Sequence, residues 1–135
     1  MNLKTKPSEY KNWCNQGNLL YENGKFKEAL TCYDKAIEIK SDCYTAWYGR
    51  GITLTEFGLL EEAVTSYDKA VEIKPDFEEA WYVMGCILNR LEKLQEAVIS
   101  FDKALEIKPL SYLRNANAWL YTNRQWKIQR SCYIL

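Results

Sequence analysis

The chain of 135 residues contains no histidine, only three prolines and an odd number of cysteines. The missing histidine removes the commonest general base and the commonest metal ligand. The five cysteines (Cys14, Cys32, Cys43, Cys86 and Cys132) form no CxxC pair. A disulfide framework is therefore not expected, and the thiols are read as reduced. There is no glycine-rich phosphate loop and no metal-ligand spacing, so neither a cofactor nor a metal is expected. No stretch approaches the roughly 20 apolar residues of a membrane helix. The start, MNLKTKPSEYKNW, is too polar for a secretory signal. A cytoplasmic location without a membrane partner is the default expectation. Net charge is also lacking: 18 basic groups match 18 acidic ones. The balance is uneven along the chain, at −4 over residues 1–111 and +4 over residues 112–135. Neither value suggests a nucleic-acid partner.

What the chain does have is repetition. YDKAIEIK at Tyr33–Lys40 returns as YDKAVEIK at Tyr67–Lys74 and as FDKALEIK at Phe101–Lys108. Aligned without gaps, residues 10–43, 44–77 and 78–111 agree at eleven of thirty-four columns. The shared columns include Trp13/Trp47/Trp81, Gly17/Gly51/Gly85, Leu20/Leu54/Leu88, Ala29/Ala63/Ala97 and Ala36/Ala70/Ala104. A period of this length marks stacked supersecondary units that cannot bury their apolar faces alone.

Each segment reads as two helices. In the first helix the inward stripe falls on Trp47, Gly51 and Leu54 and their counterparts, with Arg50 and Gln16 interrupting it at one column. In the second helix, Phe26, Ala29, Leu30, Tyr33, Ala36 and Ile37 recur at helical spacing and form one apolar face. Gly24 and Gly58 fall between the helices, where positive φ is often needed. The third segment has Glu92 there, at an expected cost on the order of 1 kcal/mol. Pro75 and Pro109 follow the second helices, and Ser41 replaces that proline in the first segment. Asp76, with Glu79 three residues on, predicts a capping box opening the next helix. The small side chains of Gly51, Ala63 and Ala70 predict close helix approach.

A thirty-four-residue unit of the form Trp-x3-Gly-x2-Leu, then Ala-x3-Tyr/Phe-x2-Ala-x4-Pro, resembles the tetratricopeptide repeat over residues 10–111. The departures are Ser41, Glu92 and the leucines at 20, 54 and 88. The resemblance implies an all-α fold: a right-handed α-solenoid of three helix-turn-helix repeats with a concave inner groove. Residues 1–9 are then an N-terminal arm. Residues 112–135 leave the repeat frame, with Asn115 where Trp is due and Trp119 where Gly is due. Tyr112, Trp119, Trp126 and Tyr133 lie seven apart, which predicts a C-terminal capping helix over 112–126 followed by a tail.

No catalytic residue is expected. Glu28 and Glu62 belong to repeated columns and read as solvated helix faces, and Cys14 and Cys86 have no histidine to activate them. Binding is the expectation that the resemblance carries. The groove would be lined by first-helix columns, which give Lys11, Cys14, Asn15, Asn18, Tyr21 and Glu22 in the first repeat. In the second repeat they give Thr45, Tyr48, Gly49, Ile52, Thr55 and Glu56. In the third they give Glu79, Tyr82, Val83, Cys86, Asn89 and Arg90. Tyr48, Ile52, Tyr82, Val83 and Cys86 form an apolar, aromatic strip suited to anchor a protein or peptide partner. Asn18, Glu56, Asn89 and Arg90 would orient it. An alternative is self-association into homo-oligomers through the repeat ends or the basic, aromatic tail. Some members of the family clamp the terminal carboxylate of chaperone tails with Lys and Asn in the first repeat, Asn in the second, and Lys and Arg in the third. The matching positions are Cys14, Asn18, Gly49, Glu79 and Val83. Only Asn18 fits, so no such clamp is expected.

Overall fold

A computed structural model describes residues 8–108. They form six helices: α1 Glu9–Glu22, α2 Phe26–Ile39, α3 Tyr44–Glu56, α4 Leu60–Ile73, α5 Glu78–Arg90 and α6 Leu94–Ile107. There is no strand among the described residues, and no helix there is long and apolar enough to cross a membrane. The chain divides into two compact units, Met1–Lys74 and Pro75–Leu135. The first carries two helical hairpins, α1–α2 and α3–α4, joined by packing of α2 on α3. The second carries the α5–α6 hairpin. The helix expected over 112–126 lies outside the described residues.

Each hairpin closes with the same backbone device. The N–H of Lys25 donates to the Leu20 carbonyl (2.8 Å), and that of Gly24 to the Tyr21 carbonyl (3.0 Å). These are the paired bonds of a Schellman motif, which needs a left-handed residue just past the helix. Leu59 and Gly58 repeat the pattern onto Leu54 and Thr55, and Lys93 and Glu92 repeat it onto Leu88 and Asn89. Gly24 and Gly58 take φ of 81° and 79°, and Glu92 takes 63°. The third turn thus keeps its geometry without the residue that adopts it without strain.

Packing follows the repeated columns. A Cβ on Gly51 would stand 2.7 Å from Tyr67 Cε1, so only a bare backbone lets α3 approach that ring. Tyr67 is completely buried, as are Ala29, Ala63, Ala70 and Ala97. The repeated tryptophans have a polar task as well. Trp47 Nε1–H donates to the Ser41 carbonyl (2.9 Å), and Trp81 Nε1–H to the Pro75 carbonyl (2.8 Å). Each indole satisfies a carbonyl of the turn that precedes its own helix, while its ring is half-buried.

Two sequence expectations need correction. The N-cap position of α5, expected at Asp76, falls one residue later: it is Phe77, with no side-chain cap hydrogen bond. Arg50 does not merely interrupt the inward stripe of α3. Its Nε donates to Asp34 (2.9 Å) on α2 and its Nη1 to Ser66 Oγ (2.8 Å) on α4, so it ties three helices together.

Candidate functional site

Within the first unit, α1 and α3 are neighbours. Four of the residues singled out in the sequence lie on these two helices: Asn18 on α1, and Tyr48, Ile52 and Glu56 on α3. The three α3 residues lie at steps of four, so they form one stripe along the helix. Tyr48 and Ile52 are half-buried, and Glu56 is exposed. The Tyr48 ring leans on the buried Tyr67 ring, with centroids 5.9 Å apart. Tyr48 is thereby braced from below while part of it faces solvent.

Tyr21 was not among the residues chosen as contacts, yet it organises this face. Its hydroxyl donates to a Glu56 carboxylate oxygen at 2.8 Å, bridging α1 and α3. Burial pushes the Tyr21 phenol up to about 12, and the hydrogen bond to Glu56 adds to the shift. The available signal was the arrangement of Tyr at one column and Glu at the next column of the following repeat. Asn18 is also engaged: its side-chain oxygen accepts from the Tyr33 hydroxyl. Tyr33 is a core residue, 3% exposed, and burial pushes its phenol up to about 12.

Two first-repeat and second-repeat columns read as groove-lining are instead packing positions. Gly49 is buried, and a Cβ there would meet Tyr33 Cε1 at 2.5 Å. Cys14 is buried beside Cys43. The side of α3 that packs therefore includes Ala46 and Gly49, because a middle helix must meet the preceding hairpin as well as its own partner. Ala46, in the cluster of Cys14, Ala36 and Cys43, is fully buried.

In the second unit, α5 carries Tyr82, Val83, Cys86, Asn89 and Arg90. Tyr82 is 7% exposed and packs edge-on against Phe101, with centroids 5.7 Å apart. Cys86 is 2% exposed. These two have little surface left for a ligand. Val83 and Asn89 are half-buried, and Arg90 is exposed. Among the described residues, no group of three or more Cys, Asp or Glu side chains is placed to hold a metal ion.

Helical hairpins at this repeat length, closed by one turn motif and packed through one set of small and aromatic columns, define a helical-repeat solenoid. Two family models, each described as tetratricopeptide repeat, match residues 14–76 and 78–109. The chain belongs to the tetratricopeptide-repeat family. Its fold is that of solved members. The first tetratricopeptide domain of Spaghetti (RPAP3), bound to the HSP90 peptide SRMEEVD, aligns with a TM-score of 0.78. It shares 22% identity over 95% of this chain and 96% of that one. The second such domain of the same protein, bound to the same peptide, gives 0.71 at 22% identity, over 73% and 92%. YrrB, described as a repeat protein with an unusual peptide-binding site, gives 0.68 at 30% identity, over 72% of this chain and 50% of that one. No curated protein matches the chain.

Proposed function

We propose that the chain is a non-catalytic protein-interaction module whose α1–α3 face receives a peptide or helix from a partner protein. The observation that carries this reading is the α3 stripe. Tyr48 and Ile52 offer aromatic and aliphatic area, and Glu56 ends the stripe with a carboxylate held in place by Tyr21. A braced tyrosine gives contact area at small entropic cost. The fixed carboxylate favours a cationic group on the partner. In the second unit, α5 offers Val83, Asn89 and Arg90 as a contact surface of its own, while Tyr82 and Cys86 are buried.

The partner's terminal carboxylate is not what is recognised. Where a clamp would need cations and amides, the chain has the buried Cys14, Gly49 under the Tyr33 ring and the exposed Glu79. Asn18 remains, but the oxygen of its amide is taken by Tyr33. A fluorescent SRMEEVD peptide is expected to show no saturable binding in an anisotropy titration. Micromolar affinity would remove this part of the reading.

The face itself is tested by affinity capture with the wild type and with Tyr48→Ala/Glu56→Lys, alongside circular dichroism and light scattering. A partner retained by the wild type and lost by an equally helical variant is the expected result. Equal capture by both would count against the α1–α3 face. A mass that rises above one chain with concentration would favour self-association instead.

A further inference from the structure

Cys14 on α1 and Cys43 at the N-cap of α3 are 29 residues apart in sequence, and their sulfurs lie 3.9 Å from each other. Both are buried, at 7% and 4% exposure, in a small cluster with Ala36 and Ala46. The pairing is particular to this junction. The column of Cys14 holds Tyr48 and Tyr82 in the other repeats, and that of Cys43 holds Phe77 and Ser111. Repeat packing therefore does not require cysteine at either place. A disulfide bond is about 2.05 Å long, so the sulfurs need to close roughly 2 Å to reach it.

Two further features bear on reactivity. A cavity of about 490 Å³ lies against this junction, and Cys43 lines it together with Tyr10, Lys11, Lys40, Tyr44 and Lys74. A small reagent thus has a route to a sulfur that is otherwise enclosed. The two thiols are also unequal. The Cys43 thiol is held below its usual range, because its thiolate accepts a hydrogen bond from the Cys14 thiol. Burial opposes this shift, and the Thr45 hydroxyl with the backbone N–H groups of Ala46 and Thr45 supports it. Cys14 is pushed up, first as the donor to Cys43 and then by burial. A thiolate at a helix N-terminus is the more nucleophilic member of such a pair.

We propose that Cys14 and Cys43 form a reversible dithiol–disulfide site, oxidised by a hydroperoxide that enters through the lysine-rimmed cavity. The Cys43 sulfur attacks the terminal peroxide oxygen, and the O–O bond breaks. The leaving oxygen takes up a proton from solvent, matching the one Cys43 released on ionising, and departs as an alcohol, or as water from hydrogen peroxide. Cys43 is left as a sulfenic acid. The Cys14 sulfur then attacks the Cys43 sulfur, the S–O bond breaks, and the hydroxide leaves with the Cys14 proton as water. The two thiols lose two electrons and two protons, and the hydroperoxide is reduced. A dithiol reductant restores the pair by exchange. The bond would fasten α1 to the turn between α2 and α3, and so fix one edge of the α1–α3 pair.

The test uses the full chain, fully reduced and then treated with one equivalent of hydrogen peroxide. After alkylation and tryptic digestion without reductant, peptide 12–25 should appear joined to peptide 41–50, two hydrogens lighter than the two separate peptides. Dithiothreitol should abolish the joined species. Titratable thiols should fall by two. The link should persist in Cys32→Ala/Cys86→Ala/Cys132→Ala and drop to background in Cys14→Ser. In Cys14→Ser, a sulfenic-acid trap should label residue 43. Peptides 12–25 and 41–50 remaining unlinked in the folded wild type would overturn the proposal. So would sulfinic acid at Cys43 with Cys14 still free, or a dominant link to any other cysteine.

Discussion

The first and third hairpins use the same columns but fill them with different chemistry. In the α1–α2 hairpin the aromatic column holds Tyr33, whose hydroxyl reaches Asn18, and Tyr21 reaches across to Glu56. In the α5–α6 hairpin that column holds Phe101, packed on Tyr82 in an α5 helix that also buries Met84, Ile87 and Leu88. α1 buries only Cys14 and Gly17. Backbone geometry is nevertheless repeated, down to the turn bonds. The comparison teaches that bare or methyl side chains facing a ring are enough to set the hairpin. Hydroxyls and carboxylates at the remaining columns are then free to serve a surface.

The largest break in that pattern should come from removing a ring. Tyr67 is 0% exposed and closes the approach of α3 to α4, and Tyr48 rests on it. Tyr67→Ala is expected to destabilise the protein by about 4 kcal/mol, the usual range for emptying a large buried aromatic site. Tyr48→Ala, at a half-buried position, should cost no more than about 1–2 kcal/mol and should instead reduce partner binding. Urea melts of the two variants separate these effects. Equal losses of stability would mean that Tyr48 is as much a core residue as Tyr67.

A somewhat smaller effect should distinguish the hydroxyl-bearing hairpin from the hydrocarbon one. Tyr33 and Tyr21 each titrate at about 12 in the folded protein, both chiefly because burial disfavours the phenolate, against 10.0 as the ordinary value. Their folded values lie above their unfolded values. The associated stability is therefore complete below pH 10 and is lost as pH rises from about 10 through 12. For the buried Tyr33 alone the loss is on the order of 2–3 kcal/mol. Phe101, in the same column, has no proton to lose. The measurement is stability against pH from 9 to 12.5 for the wild type and Tyr33→Phe. The variant should show a shallower alkaline decline, and identical slopes would contradict the assignment.

Much of this was legible before any coordinates. Trp47, Gly51, Leu54, Ala63 and Ala70 recur because identical packing faces demand identical residues, and the structure uses them as the period implies. The start of α5 was legible only to within one residue: the Asp76-to-Glu79 spacing pointed to Asp76 as the cap, and the N-cap is Phe77. Gly49 and Cys14 misled for a different reason. A helix wheel assigns two faces, inward and outward, but a middle helix of a stack has a third, turned to the previous hairpin. Which positions occupy it depends on how α2 meets α3, and Tyr33 pressing on both Gly17 and Gly49 shows the answer. The bridge from Tyr21 to Glu56 spans 35 residues, and no pattern within one helix could announce it.

The finest difference between the hairpins is the turn residue, and it also gives the sharpest test of how closely the repeats match. Glu92 sits at φ 63°, where Gly24 and Gly58 sit at 81° and 79°. Its N–H donates to the Asn89 carbonyl at 3.0 Å, the same bond and length that Gly24 and Gly58 make. Since the bonding is equal, the remaining difference is steric. A Cβ in the left-handed region crowds the backbone, at roughly 1–2 kcal/mol. Glycine's greater freedom in the unfolded chain offsets part of that, by about 0.4–1 kcal/mol. Glu92→Gly should therefore stabilise the protein by up to about 1 kcal/mol, read as a higher urea midpoint at unchanged slope. Gly58→Glu should lower the midpoint by a similar amount, because nothing lies within 4 Å of a Cβ built there and only the backbone conformation opposes it. If Glu92→Gly instead lowered stability, the Glu92 side chain would have to hold the third turn through a contact that the glycines of the other two turns cannot make.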